Sequence, residues 1–212
     1  MRILLLIAAA SYLLGSIPFG YLLVRIFRGE DVRDSGSGNI GATNVSRKSP
    51  TLGILTLFLD ALKGTCAVLL ANVVFMRIAP GNVDVSLYAP LSLVALCAIL
   101  GHMFPVWLRF RGGKGVATSV GAFALLIPRA TLGAFAIFVI VALISRYVSL
   151  ASIAAAVSLP ILAWISLRHR GGEGLLTFLP IAIASVLVIA KHHENIRRLL
   201  AGTENRFGSR HA

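Results

Sequence analysis

The sequence predicts an all-α integral membrane protein, and three observations carry that prediction. The 212 residues are 57% hydrophobic and only 13% charged, which is typical of membrane proteins rather than soluble domains. The mean hydropathy is +0.87. The apolar residues form continuous runs of membrane length, since a transmembrane helix needs about 20 of them. We therefore expect a single transmembrane domain, 1–212, and no separate soluble domain.

Seven spans are predicted in chain order. The first run is apolar for too long to be a signal peptide, so it is interpreted as a retained span. The run 116–145 would form a helix about 45 Å long, beyond the roughly 30 Å hydrocarbon core. Pro128-Arg129 interrupts that run, so it is divided into two spans. The predicted spans are 3–27, 52–78, 86–108, 116–127, 129–145, 150–167 and 175–190.

The charge distribution predicts the orientation. Twenty Lys and Arg against eight Asp and Glu give a formal net charge of +12. In a soluble chain this excess would indicate nucleic acid, but here the cations lie between spans and in the tail, so no nucleic-acid partner is expected. Seven spans place the charged segments on one face, assigned to the cytoplasm, together with the C-terminus, and leave the N-terminus outside. The basic segment 168–174 disagrees, because it would lie outside.

The first glycine-rich loop, 35–44, has chemistry that suits an anion. Glycine lets the backbone approach a ligand closely, and successive N–H groups form an anion-binding nest. A formal dinucleotide-binding match is set aside, because a transmembrane helix precedes it instead of a strand. The alternative is a flexible loop whose serines and glycines only form turns. The candidate binding residues are Ser35, Ser37, Gly38, Asn39, Gly41, Thr43 and Asn44, with Arg47 after them as a bidentate cation.

The second glycine-rich loop, 111–118, is a second anion-site candidate. It is not a Walker A loop, because Gly115 follows Lys114 where Ser or Thr is required, so nucleotide hydrolysis is not expected. A helix beginning at Val116 would direct its N-terminal N–H groups at the loop. A positive-inside loop would explain the cations but not the glycines. The candidates are Arg111, Gly112, Gly113, Lys114, Gly115 and Thr118.

Two ionisable residues lie inside the second predicted span. Asp60 and Lys63 are three positions apart and share a helix face. Charged residues within a membrane are candidates for function, while a mutual ion pair would neutralise both. Both interpretations are kept, and Lys63 is a candidate substrate-binding residue.

Two polar groups in the C-terminal third are also candidates. Ser149 and Ser152 are three apart, a spacing typical of caps or back-bonded hydroxyls. The basic tail 191–200 is amphipathic and suits an anionic lipid surface. His192 and Asn195 share one of its faces, which lipid attraction does not require.

Four motifs together resemble a known family. SGSGNIGATN, GHMFP with RFRGGKGVAT, RYVSLAS, and KHHENIRRLLAGTENRF occur in the order of the bacterial acyl-phosphate:glycerol-3-phosphate acyltransferases. The resemblance implies seven spans and an active site on the cytoplasmic face of the cell inner membrane. It also implies acyl transfer from acyl-phosphate to the sn-1 hydroxyl of glycerol 3-phosphate, which yields lysophosphatidic acid and phosphate. The implied catalytic residues are Ser37, Arg47, Lys114, Ser152, His192 and Asn195.

The implied chemistry leaves two choices open. Either loop could hold either substrate's phosphate, and the base is either His192 or the substrate phosphate, whose second pKa is about 6. No histidine begins the H-x-x-x-x-D pair of acyltransferases that use thioesters. We therefore expect no CoA, no cofactor, no metal and no obligate protein partner, only the two substrates and membrane lipid. The rival class is an anion or organophosphate transporter, but the inverted repeat common in transporters is not visible.

Overall fold

The chain is helical throughout the part that the structure describes. This computed structural model describes residues 2–78 and 87–208, except for the side chains of 170–173, and these ranges contain no β-strand. The predicted all-α class is confirmed. The helices are α1 (Arg2–Gly15), α2 (Phe19–Arg28), α3 (Ala42–Lys48), α4 (Pro50–Ile78), α5 (Tyr88–Met103), α6 (Val116–Leu126), α7 (Pro128–Ser145), α8 (Val148–Leu167), α9 (Gly171–Ala190) and α10 (His193–Leu200).

Several of these helices are suited to a membrane. Within the described ranges, five helical segments are long and apolar enough to cross one, or six if the pair α9 and α10, bent by 50°, counts as a single span. Helices α1 and α2 together form one of the five, with 27 residues. Helix α6 is apolar but has only 11 residues, about 16 Å of helix or half of the hydrocarbon core. The chain is a multi-pass membrane protein.

The first predicted span differs from a continuous helix. Helix α1 ends at Gly15, and α2 begins at Phe19, directly after Pro18. Proline lacks an N–H group and restricts its φ, which favours a break. A Cβ atom on Gly15 would lie 2.0 Å from the Ala98 carbonyl oxygen, so the end of α1 packs directly against the α5 backbone.

Other boundaries depart less from the predictions. The predicted polar loop 28–49 contains a 3₁₀ turn, Val32–Asp34, and α3. The predicted break at Pro128 is present, because α6 ends before it and α7 has this proline in its first turn, where an N–H is not needed. The predicted outer segment 168–174 is helical. Residue 86, the predicted start of the third span, lies outside the described residues.

The chain forms two compact units, residues 1–126 and 127–212. In the first unit, α4 packs against α1, α5 and α6. Glycines allow the close approach of α4 and α6, because a Cβ on Gly64 or Gly121 would lie 2.3 or 1.9 Å from a carbonyl oxygen of the other helix. In the second unit, α8 packs against α7 and α9. Each unit contains polar residues predicted to be functional.

Candidate active site

The first glycine-rich loop is built around the side chain of Asn44, which is buried. Its Oδ1 accepts a hydrogen bond from the Ser37 N–H at 2.9 Å. Its Nδ2 donates to three carbonyl oxygens, those of Val32, Ser35 and Asn39, at 3.0, 3.1 and 2.9 Å. Because these contacts occupy both groups of the amide, the structure favours a role for Asn44 in shaping the loop over direct contact with a phosphate.

The glycines of this loop make that arrangement possible. Gly36 and Gly38 have φ values of 61° and 65°, the left-handed region that glycine adopts without strain. A Cβ on Gly36 would lie 2.3 Å from the Asn44 Oδ1 and 3.1 Å from the Arg47 Nη1. The loop rests on a buried apolar cluster, termed the loop core, which consists of Val24, Val32, Ile40, Val45 and Leu108.

Arg47 is the cation available to an anion at this loop. Arg33 is paired with Asp31 at 2.6 Å, and Lys48 is paired with Glu30. The hydrogen bond from Arg33 is the main reason that the pKa of Asp31 lies below its usual value. Arg47 is exposed and has no acidic partner among residues 2–78 and 87–208. The side chains of Ser37 and Thr43 lie in the same loop region, the first half-buried and the second exposed.

The glycines of the second loop are required by packing. The N–H groups of Gly112 and Gly113 donate to the carbonyl oxygens of Met103 and His102 at 3.2 and 3.0 Å. A Cβ on Gly113 would lie 1.9 Å from the His102 Nε2, and one on Gly112 would lie 2.2 Å from the His102 carbonyl oxygen. Gly115 has a φ of 81° and lies against the Met103 side chain. These contacts give a physical reason for the three glycines that needs no ligand.

The polar side chains of the second loop divide by burial. Arg111 is exposed and Lys114 is half-buried, so both cations lie at the surface of the first unit. Thr118 is buried where α6 meets α4, next to Gly64. Its hydroxyl has no hydrogen-bond partner among the described residues. This position favours a packing role for Thr118, in contrast to the predicted contact with a substrate.

Asp60 and Lys63 form a buried ion pair on α4. The Lys63 Nζ lies 2.8 Å from the Asp60 Oδ1, and the two side chains are 1% and 3% exposed. The Lys63 Nζ also donates to the Ile17 carbonyl oxygen at 2.8 Å, in the break between α1 and α2. The His102 Nδ1 lies 3.5 Å from the same Asp60 oxygen. The ion pair therefore contacts two parts of the first unit. Lys63 contacts the break between α1 and α2, and Asp60 contacts His102, on which Gly113 packs.

In the second unit, the Glu204 carboxylate accepts hydrogen bonds from three side chains. Its Oε1 accepts hydrogen bonds from the Ser149 Oγ and the Asn195 Nδ2, and its Oε2 accepts one from the Arg198 Nε, each at 2.6 Å. The Ser152 hydroxyl donates instead to the Val148 carbonyl oxygen at 2.9 Å. Ser149 and Asn195 are thus brought together by a carboxylate, and Ser152 is a back-bonded serine one turn along α8.

His192 presents a defined tautomer. The residue is 2% exposed, and its Nδ1 lies 2.7 Å from the Val188 carbonyl oxygen. A carbonyl oxygen only accepts, so the Nδ1 carries the hydrogen. In neutral His192 the Nε2 is therefore the nitrogen with a lone pair, which a proton acceptor requires.

Replacing Glu204 with glutamine is expected to destabilise the fold by about 2 kcal/mol. The hydrogen bonds to a charged carboxylate are lost, and the glutamine NH₂ group would face at least one of the three donors, which it cannot accept from. Burial opposes ionisation of Glu204, but the donors outweigh it and lower its pKa below the ordinary 4.5. The wild-type stability from this group is therefore complete above about pH 4.5 and is lost as pH falls through the lower folded pKa. Thermal unfolding between pH 3 and 7 measures both effects; a variant as stable as the wild type at pH 7 would contradict the prediction.

Sequence reasoning missed Glu204 and the contact of Asp60 with His102. Glu204 lies in a basic tail, and a carboxylate among so many cations was a signal that it has a partner. Gly113 packs on His102 within one motif, and the spacing of the two residues does not predict this contact.

The chain is similar to known glycerol-3-phosphate acyltransferases along nearly its whole length. The family model with that description matches residues 5–202. A glycerol-3-phosphate acyltransferase of Syntrophotalea carbinolica is 47% identical over 93% of this chain and 94% of its own. One of Geotalea daltonii is 48% identical over 97% of both chains.

Two solved structures have the same fold. Both are crystal structures of an integral membrane glycerol 3-phosphate acyltransferase. The glycerol 3-phosphate form has a TM-score of 0.83 and 38% identity, over 97% of this chain and 96% of the other. The lysophosphatidic acid form has a TM-score of 0.79 and 36% identity, over 97% and 95%.

Proposed function

The chain belongs to the glycerol-3-phosphate acyltransferase family, and we propose that it transfers a fatty acyl group from acyl-phosphate to the sn-1 hydroxyl of glycerol 3-phosphate. The products are lysophosphatidic acid, the lipid precursor for phospholipid synthesis, and inorganic phosphate. One observation carries the proposal: the first unit contains two glycine-rich loops, each next to exposed cations. Both substrates are phosphates, so a reaction between them needs two anion sites.

We propose that the first loop binds glycerol 3-phosphate. The exposed Arg47 guanidinium has no acidic partner among the described residues, and it can bind phosphate through two parallel hydrogen bonds. Ser37 belongs to the same loop, and its backbone N–H donates to the Asn44 Oδ1. Fixing the backbone in advance lowers the entropy cost of orienting the acceptor hydroxyl.

We propose that the second loop binds the phosphate of the acyl donor. Lys114 and Arg111 supply positive charge, and α6 begins directly after the loop. Attack on the acyl carbonyl expels inorganic phosphate, and cations beside that phosphate stabilise the charge that develops on it. The bond formed is the ester at the sn-1 oxygen and the bond broken joins the acyl carbon to the phosphate oxygen.

We propose that the acyl chain occupies a largely apolar cavity in the same unit. A cavity of about 330 Å³ lies among α4, α5 and α6 and includes Val68, Leu91 and Leu126. Leu126 ends α6, whose first residue follows the second loop, so the cavity lies about 16 Å along the helix from the phosphate loop. An extended acyl chain that starts at the loop would lie along α6 toward this cavity.

His192 is proposed as the base that accepts the hydroxyl proton. The Val188 carbonyl holds its Nδ1–H, so the Nε2 is the accepting nitrogen. Asn195 and Ser149 share the Glu204 carboxylate and keep the start of α10 in a fixed position. Ser152 is retained as a proposed functional residue.

We propose seven spans, with the N-terminus outside and the catalytic loops on the cytoplasmic face of the bacterial inner membrane. The charge distribution supports this orientation, because the segments between spans that carry most Lys and Arg then face the cytoplasm. Glycerol 3-phosphate is charged and water-soluble, and the cytoplasm is where such a substrate reaches these loops. Helix α6 serves as the fourth of these spans, although it has only 11 residues.

One experiment tests the reaction and its sidedness. Purified protein is inserted into vesicles, separated by orientation, and given acyl-phosphate and labelled glycerol 3-phosphate from the outside. We expect labelled lysophosphatidic acid and an equal amount of phosphate only where the cytoplasmic face is outward. Phosphate release without labelled lipid would refute acyl transfer, and entry of unmodified label into the vesicle would indicate a transporter. Lipid formation by the opposite orientation alone would refute the assigned face.

A further inference from the structure

An exposed aromatic and basic turn leads from α5 into the second glycine-rich loop. This aromatic turn comprises residues 106–111. Trp107 and Phe110 are 61% and 58% exposed. Arg109 and Arg111 are exposed as well, and neither forms an ion pair with a residue in the described ranges. Two large rings and two cations are therefore presented together, beside the loop proposed to hold the donor's phosphate.

The aromatic turn is held in its conformation by buried contacts. Leu108 is part of the loop core under the first glycine-rich loop. The Phe110 N–H donates to the Pro105 carbonyl oxygen at 3.0 Å, and the Arg111 N–H donates to the Leu108 carbonyl oxygen at 3.1 Å. The Tyr12 hydroxyl donates to the Phe104 carbonyl oxygen at 2.7 Å, just before the turn.

The backbone conformation of the turn is unusual. Arg109 and Phe110 have φ values of 51° and 62°, two successive left-handed residues that are not glycine. This region is uncommon for residues with a side chain, and it persists only where surrounding contacts hold the backbone in place. The conformation places Leu108 in the loop core while Trp107 and Phe110 remain exposed.

The exposed rings and cations of the aromatic turn together suit one environment, the headgroup layer of an anionic bilayer. Tryptophan, whose ring combines an apolar body with a polar N–H, collects at the boundary between headgroups and acyl chains. Arginine binds lipid phosphates by charge and paired hydrogen bonds. In water the same rings would be an exposed apolar patch with no compensating contact.

We propose that the aromatic turn inserts into the anionic headgroup layer and receives the membrane-dissolved acyl donor next to the loop Gly112–Lys114. The turn's rings contact the upper part of the donor's acyl chain, and Arg109 and Arg111 attract its phosphate. The donor's identity rests on the proposed function, whereas insertion of the turn does not. Glycerol 3-phosphate, which is water-soluble, does not use this surface.

Fluorescence tests the insertion without any use of activity. The sequence contains two tryptophans, Trp107 and Trp164, so Trp164→Phe leaves Trp107 as the only one. The variant is placed in phosphatidylcholine–phosphatidylglycerol vesicles that carry a spin label just below the headgroups. We expect strong quenching of Trp107 by the label and little by iodide in the water. Quenching by iodide alone would overturn the proposal.

Kinetics test the delivery of the donor. For Trp107→Ala/Phe110→Ala in vesicles, we expect the KM for a long-chain acyl-phosphate to rise about tenfold, because apolar and interfacial contacts with the membrane are lost. The kcat and the KM for glycerol 3-phosphate should not change. A short, water-soluble acyl-phosphate should show no change either. Phe135→Ala, which removes an exposed ring from α7, is the matched control.

The outcomes separate the two proposals. An equal rise in KM for both donors, or a rise for glycerol 3-phosphate, would overturn donor delivery by the aromatic turn. A melting temperature near that of the wild type shows that the double variant folds. Absence of acyl transfer in the wild type would refute the proposed function, while the quenching experiment would still decide whether the turn inserts.

Discussion

Lys63→Met is expected to lower the free energy of unfolding by about 3–5 kcal/mol, because it leaves Asp60 charged and buried without its partner. The Lys63 Nζ also donates to the Ile17 carbonyl oxygen, so the α1–α2 break loses its contact with α4. In a membrane span the alternative partners for the carboxylate are few. Thermal unfolding in detergent measures the loss.

A second variant tests whether the loss of stability comes from the unpaired Asp60 charge or from removal of the lysine side chain itself. In Asp60→Asn/Lys63→Met both charges are removed together, so we expect at least half of the lost stability to return. Lys48→Met is the matched control, because it breaks a surface ion pair with Glu30 and should lower the stability far less than Lys63→Met does. A double variant that is as unstable as the sum of its single changes would contradict the interpretation as a mutual pair.

His192→Ala is expected to lower kcat about 100-fold or more, with the KM values nearly unchanged. The physical reason is loss of the accepting Nε2, since a positioned general base typically contributes about 10²–10⁴ in rate. His193→Ala is the control, because that neighbouring ring is exposed and its Nδ1 lies 3.0 Å from the Ala190 carbonyl oxygen. Steady-state kinetics in vesicles with both substrates measure the effect.

Near-normal turnover by His192→Ala would indicate that the phosphate of glycerol 3-phosphate, and not His192, accepts the proton of the hydroxyl group. The phosphate of glycerol 3-phosphate has a second pKa of about 6 and is able to accept a proton near neutrality. His192 would then be a positioning residue at the start of α10, and a rise in the KM for glycerol 3-phosphate would accompany the unchanged kcat.

Composition and length were sufficient to predict the helical class, because only closed hydrogen-bonding patterns satisfy the backbone in lipid. The break at Pro128 could also be predicted, since a proline and an arginine interrupt an apolar run that is too long for one span. The break at Pro18 was missed because the run around it remains apolar throughout. There the decisive fact is tertiary: Gly15 lies against the α5 backbone.

The composition of the loops indicated anion binding but not how the loops are built. Asn44 looked like one more donor for a ligand, yet the surrounding carbonyls and Ser37 occupy its amide. Gly113 looked like part of a nest, but it packs against the ring of His102 on α5. Such contacts are set by packing between elements, so residue type and spacing cannot predict them. The catalytic assignments from the family motifs remain predictions.

Because Glu204 comes late in the sequence, its contacts with α8 form only after that helix has been synthesised. Its partner Ser149 lies 55 residues earlier, and the Phe207 N–H donates to the Arg146 carbonyl oxygen at 2.7 Å. At about 5–20 residues per second, the ribosome makes these partners several seconds apart. Until residue 204 has been made, Ser149 and Asn195 lack their shared carboxylate. The contacts that tie α8 to the segment after α10 therefore form only after residues 204–207 have been made.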